Sequence, residues 1–191
     1  MKDRVTQVGD PVLRTTAVPV PKKDIGGRKL AALIKHMSDT LKHEGFGVAI
    51  AAPQVGESLR LFVVAGSVFE KDGDDDEKPI DTGKKKSIGP DRVFINPEIT
   101  RRSRNKKEMS EGCLSVRGKY GTVMRHEKVT LKALTEKGEP VTYNGTGLLG
   151  HIFQHECDHL DGILYIDKTV RLEEDEDMKG ARQKLKDKHG I

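Results

Sequence analysis

The residues Gln154-His155-Glu156-Cys157-Asp158-His159 have the types and spacing to do chemistry. On an α-helix, side chains four residues apart share a face, so His155 and His159 aim two imidazoles at one ion, and Glu156 stands beside the open coordination position as a general base. This is the geometry of a metal-dependent hydrolase. Catalytic sites of this kind use three protein ligands and keep a fourth position for water, so the third ligand must come from elsewhere in the chain. Cys113 is the best candidate. In Glu111-Gly112-Cys113-Leu114-Ser115, a compact Gly-Cys segment brings a thiolate and nearby backbone N–H groups to the same place. An ordinary helix with hydrogen-bonded histidines is the plainer reading of a His-Glu-x-x-His string, and Cys113 together with residues 47–54 weighs against it. Cys157 is turned roughly 200° around the helix from His155 and reads as a small buried hydrophobe. With only two cysteines, no disulfide framework is indicated.

These residues need elements to hold them. Asp10-Pro11 and Pro19-Val20-Pro21 mark an extended, turn-rich N-terminal arm. From Arg28 to His43 the residues Leu30, Leu33, Ile34, Met37 and Leu41 recur at helical spacing, with Gly45 as a stop. Residues 47–54 are small and apolar, suited to close approach by a peptide backbone pairing as an added strand, and Gln54 offers an amide donor to a developing oxyanion. Residues 59–65 and 93–95 read as strands, and the basic, polar residues 101–107 read as a connection. Residues 129–134 alternate in period two, and 141–143 return as the second strand of a hairpin. The metal-binding helix then runs over about 146–160 and stops before Gly162. Strands on both sides of one buried helix predict an α+β fold, with antiparallel sheets packed around a central metal-binding helix.

Two charged stretches stand apart. Residues 70–90 run through an acidic cluster and then Lys84-Lys85-Lys86 with almost no apolar anchor, the composition of a solvated loop insertion. The expected organisation is therefore one catalytic domain over residues 1–170, carrying that insertion, and a charged helical tail over 171–191. In the tail, acids from Glu173 to Asp177 precede Lys179, Arg182, Lys184, Lys186 and Lys188, an order that suits the helix macrodipole. A solvated surface helix is its plainer reading; a basic face docking on RNA is the functional one.

At 191 residues with 35% hydrophobic content, the chain suits one domain with one sizeable core, and no apolar run approaches membrane-spanning length. A net charge of +4 does not by itself imply nucleic-acid binding. The first residues lack the apolar stretch of a secretory signal. The expectation is a cytoplasmic protein that engages neither DNA nor membrane.

Three segments, Gly47-Val48-Ala49-Ile50-Ala51-Ala52-Pro53-Gln54, the 111–115 segment and the 154–159 segment, resemble in order the three signature motifs of peptide deformylases. Gly9-Asp10-Pro11-Val12-Leu13-Arg14 and Phe94-Ile95-Asn96-Pro97 are also similar to the family, so the resemblance covers about residues 5–167. It implies a metal-dependent hydrolase that removes the formyl group from the formyl-methionine of nascent polypeptides, releasing formate. On this resemblance Cys113, His155 and His159 hold the metal, Glu156 moves the proton, and Gln54 with the Leu114 backbone N–H holds the formyl oxygen. Val48, Ala49, Gly112, Met109, Leu148, His151 and Ile152 line the substrate, with His151 the polar member of an apolar set or a rim residue. Arg125 is expected to pair with Glu111 or Asp158 and so orient the site. The donor types favour Zn²⁺; the resemblance implies one Fe²⁺, with Zn²⁺ or Ni²⁺ in isolated protein. It also leaves room for a ribosomal partner met by the basic tail. Two departures stand out. Ala49 replaces the motif's second glycine, which costs on the order of 1 kcal/mol if the position needs φ > 0 and little if it is extended. Arg117 stands where many deformylases carry proline. An internal-peptide metalloprotease and a structural metal domain that binds nascent chains or RNA are the rival readings, disfavoured respectively by Cys113 and by Glu156.

Overall fold

The computed structural model describes residues 5–45, 47–69 and 89–174. Its architecture follows from strands that are apolar on both faces. Successive side chains on a strand point to opposite sides, so an unbroken apolar run needs a cover above and below. In β2 (Leu61–Val64) all four side chains are buried, and β1 (Ala49–Ala51) and the start of β3 (Arg92–Arg102) continue the pattern. With β6 (Lys128–Leu134) and β7 (Pro140–Thr146), these strands form an antiparallel sheet in the order β1-β2-β3-β6-β7.

Each face of that sheet receives a helix. Helix α1 (Arg28–His43) lays Leu30, Leu33, Ile34, Met37 and Leu41 against Ile50, Leu61, Val63, Val93 and Ile95. Helix α2 (Gly147–Leu160) lays Leu149, Ile152, Phe153, Cys157 and Leu160 against Phe62, Val64, Phe94, Val129 and Leu131. Burial of each large apolar side chain contributes about 1.5–3 kcal/mol, so packing rather than propensity holds α2, whose sequence includes Gly150 and several weak helix formers. Gly150 has a steric reason. A Cβ there would lie 2.7 Å from the Gly145 carbonyl oxygen, so the helix sits directly on β7 only because both positions are glycine.

A second antiparallel sheet, in the order β4-β5-β8, closes the other side of α2. It comprises β4 (Lys106–Cys113), β5 (Val116–His126) and β8 (Thr169–Glu174). The fold is α+β, as expected. The expected connection over residues 101–107 is instead mostly strand: β3 runs to Arg102 and β4 starts at Lys106. These residues are largely exposed, so they carry no apolar alternation, and strand pairing with β6 and β5 orders them instead. The expected boundary at residue 170 falls within β8, where Arg171 and Leu172 pair with Thr122 and Gly121; these residues belong to the sheet rather than to a separate helix. The rest of the expected tail, 175–191, and residues 70–88 of the expected insertion lie outside the described residues.

The N-terminal arm binds the site segments together. Thr6 N–H donates to the Gln54 carbonyl at 2.7 Å, and Val8 N–H donates to the Ser115 carbonyl at 2.8 Å. Asn96, at φ 49°, holds the arm's Val20 as a strand neighbour would, accepting from its N–H at 2.8 Å and donating to its carbonyl at 2.9 Å. Short-side-chain Asn tolerates this left-handed conformation, which sits at an irregularity in β3 pairing before Glu98. The arm's Ala17 N–H caps the last α2 carbonyl, Leu160, at 2.8 Å. Among the described residues no helix is long and apolar enough to cross a membrane.

Candidate metal centre

Helix α2 delivers His155 and His159 from one face, with ring centroids 4.9 Å apart. Strand β4 ends at Cys113, where the pairing with β5 shifts register, and this irregularity turns the thiol toward the helix. Cys113 Sγ lies 3.1 Å from His159 Nε2, and one donor atom from each of Cys113, His155 and His159 falls within 4.8 Å of the others. Burial by itself would raise the Cys113 thiol, but the charge of His159 and hydrogen bonds from His155 and His159 hold it well below its ordinary range. Burial likewise opposes an imidazolium at His155, yet Cys113 and Glu111 hold its pKa well above the usual value. The sulfur and the two imidazoles converge on one space, where a divalent cation would take the place of their protons.

A sulfur and two imidazole nitrogens form a donor set for Fe²⁺, Zn²⁺ or Ni²⁺. Glu156 supplies a second sign of fit. It is 4% exposed, its Oε2 is buried, and that oxygen has no hydrogen-bond partner among the described residues. Burial raises the Glu156 pKa, and the charges of His155 and His159 only partly offset it. A carboxylate in that state is suited to take and return a proton.

Gln54 closes one side of the centre, at the end of the short turn Ala52–Val55. Its Oε1 accepts from Ala51 N–H at 2.8 Å, while its Nε2 faces Ser115 Oγ at 3.2 Å and Cys113 Sγ at 3.5 Å. Ser115 N–H also points at Cys113 Sγ, at 3.4 Å. From the arm, Gln7 Nε2 donates to the Leu114 carbonyl at 3.0 Å and so ties the arm to the residue that follows Cys113.

Behind His155 stands Glu111, its side chain without exposed surface. Arg125 grips it through Nε to Oε1 at 2.5 Å and Nη2 to Oε2 at 3.0 Å, and reaches Asp158 Oδ2 through Nη1 at 2.6 Å. Arg125 therefore pairs with both expected partners. His155 Nδ1 lies 2.7 Å from Glu111 Oε2, and His151 Nε2 lies 3.0 Å from Oε1. Burial opposes ionisation of Glu111, but His151, His155 and Arg125 together hold it far below the usual carboxylate range.

The other expected substrate residues separate into three groups. Ala49 and Ile152 join the core cluster under α2, 7% and 4% exposed, whereas Val48 and Leu148 are exposed apolar side chains. Met109 is half-buried on β4, paired with Val123, and Gly112 lies against the Tyr120 ring. Ala49 pairs with Val64 in β1, and its φ is not positive, so its methyl group carries no left-handed strain. His151, expected among the substrate lining or at its rim, has its Nε2 turned to Glu111, a contact the sequence reading did not include. Its spacing of four from His155 was the available signal. Gln7 and Ser115 were also missed, Gln7 because no local pattern links it to a segment more than a hundred residues away. Arg117, on the surface, forms a forked ion pair with Glu44 at the end of α1, at 2.8 and 3.0 Å.

Comparison with known proteins adds an independent finding. The family model described as polypeptide deformylase matches residues 2–175. A peptide deformylase of Halothermothrix orenii is 41% identical over 172 residues, 90% of this chain and 96% of its own. One of Dictyoglomus thermophilum is 40% identical over 166 residues, 87% of this chain and 92% of its own. Among solved structures, the Met-Ala-Ser-bound class I type b peptide deformylase of Acinetobacter baumannii shares 35% identity and a TM-score of 0.71, covering 86% of this chain and 96% of that one. A Legionella pneumophila peptide deformylase shares 40% identity and a TM-score of 0.70, covering 87% and 85%.

Proposed function

This chain belongs to the polypeptide deformylase family, metal-dependent hydrolases that remove the N-terminal formyl group from formyl-methionyl peptides, and on that premise we propose how its residues share the work. Cys113, His155 and His159 hold one divalent ion. When bound, that ion supplies Lewis acidity, lowering the pKa of water and polarising the formyl oxygen. Glu156 Oε2 accepts a proton from the attacking water. As the C–N bond breaks, the same oxygen delivers the proton to the departing amine, so water and the formamide become formate and a free N-terminal methionine. Gln54 Nε2 and the Leu114 N–H donate to the oxygen that becomes negative in the tetrahedral state. Arg125, itself paired with Asp158, holds Glu111, and Glu111 holds the tautomer and orientation of His155.

The observation that carries this reading is the buried, unpartnered Glu156 Oε2 beside a clustered thiol and two imidazoles. Val48, Ala49, Gly112, Met109, Leu148 and Ile152 contact the substrate in this reading. It is supported by the Acinetobacter baumannii relative, whose structure holds Met-Ala-Ser. Fe²⁺ is the proposed native ion, with Zn²⁺ or Ni²⁺ as substitutes that the same soft donors accept. Nascent polypeptides in the cytoplasm are the proposed substrate, and the basic residues beyond 178 are the proposed ribosome contact.

The test is formate release from a formyl-methionyl tripeptide by protein purified without oxygen and loaded with Fe²⁺, beside Glu156→Ala. The variant is expected to keep its metal and lose about 10²–10⁴-fold in turnover. Equal turnover in the two proteins would sink the role of Glu156, and no turnover in either would sink the assignment of the ion and substrate.

A further inference from the structure

We propose that His151 is a positioning residue for His155, acting through the Glu111 carboxylate; the inference rests on the metal site proposed above. The Glu111 side chain has no exposed surface, so protein donors must satisfy both of its oxygens. Oε1 meets Arg125 Nε at 2.5 Å and His151 Nε2 at 3.0 Å, and Oε2 meets Arg125 Nη2 at 3.0 Å and His155 Nδ1 at 2.7 Å. Each oxygen therefore has one guanidinium donor from β5 and one imidazole from α2. Residues four apart share a helix face, so His151 and His155 reach the same carboxylate side by side.

This arrangement has a mechanical consequence. Arg125 registers Glu111 to the sheet, while the two imidazoles register it to the helix that carries the metal ligands. With His151 in place, the carboxylate cannot turn away from His155 without losing a second polar contact, at 3.0 Å, to the same helix. His155 donates from Nδ1, which leaves its Nε2 lone pair for the ion, and the Glu111 contact fixes both that tautomer and the ring plane. The His151 contact requires only an N–H at Nε2, which a neutral imidazole supplies.

The experiment compares wild type, His151→Leu and His151→Gln as full-length proteins loaded with Co²⁺, whose thiolate charge-transfer absorption reports binding at Cys113. The rate of Co²⁺ loss to excess chelator is measured beside KM and kcat on a formyl-methionyl tripeptide. His151→Leu is expected to release Co²⁺ about 10-fold faster, the low end for loss of a group behind a metal ligand because Arg125 remains. The glutamine amide can reach the same oxygen, so His151→Gln should restore most of the difference, and KM should stay near wild type in both. Wild-type release rates in His151→Leu would overturn the inference. So would equal acceleration in both variants, which would mean packing rather than donation, or a change in KM alone, which would mean a substrate contact. A wild-type protein lacking the charge-transfer band would overturn the underlying metal site as well.

Discussion

Replacing Arg125 with Leu removes three charged hydrogen bonds from a place where water cannot replace them. The arginine side chain is 5% exposed, Glu111 is fully covered, and Asp158 is 13% exposed. Removing one partner of a buried ion pair typically costs 3–5 kcal/mol, because the remaining charge is left without compensation. Here the loss is softened. Glu111 keeps His151 and His155, and Asp158 keeps Lys168 Nζ at 2.7 Å. The low end, about 3 kcal/mol, is therefore expected, and for a domain of this size it corresponds to a fall in Tm of about 6–12 °C. Arg125→Lys should recover less than half of it, since one ammonium cannot span the Glu111 fork and Asp158 together. The pH dependence has a definite sign. Glu111 has a depressed folded pKa, so its contribution is present above the ordinary carboxylate range and fades as pH falls. Without Arg125 that depression shrinks, but His151 and His155 still hold Glu111 low, so the deficit against wild type should be largest near pH 7, little smaller at about pH 4, and should narrow only in stronger acid. Thermal unfolding of metal-free protein, followed by circular dichroism at both pH values, measures it. A Tm within about 2 °C of wild type at pH 7, or a deficit that widens in acid, would refute the reasoning.

Two further perturbations probe other parts of the site. Gln54→Leu deletes the amide that faces Ser115 and Cys113, and kcat on a formylated tripeptide should fall about 10²–10³-fold with the metal retained; an unchanged kcat would remove Gln54 from the oxyanion site. Gly150→Ala places a methyl group 2.7 Å from the Gly145 carbonyl oxygen, and a loss of about 1–3 kcal/mol in urea unfolding is expected from overpacking between α2 and β7. Wild-type stability in that variant would show that the helix can lift from the strand at no cost.

The clustered donors Cys113, His155 and His159, and the proposed base Glu156, stand in segments that local rules pick out in the amino-acid order. Four-residue spacing on one helix aligns His155 with His159, and neither the Gly-Cys segment nor the small-residue segment before Gln54 needs distant partners to be recognised. Apolar periodicity likewise placed α1, and unbroken apolar runs placed the strands that are buried on both faces. Tertiary structure alone decided the rest. The exposed ends of β3 and β4 have no apolar alternation, so only pairing with β6 and β5 makes them strands. His151 has the same local spacing from His155 whether it faces substrate, solvent or a carboxylate. Its partner was chosen when β4 brought Glu111 to α2, 44 residues away from His155, and β5 brought Arg125 to the opposite side of that carboxylate. Periodicity records which face of an element is apolar, but a buried carboxylate takes its donors from whichever elements packing brings within about 3 Å of it.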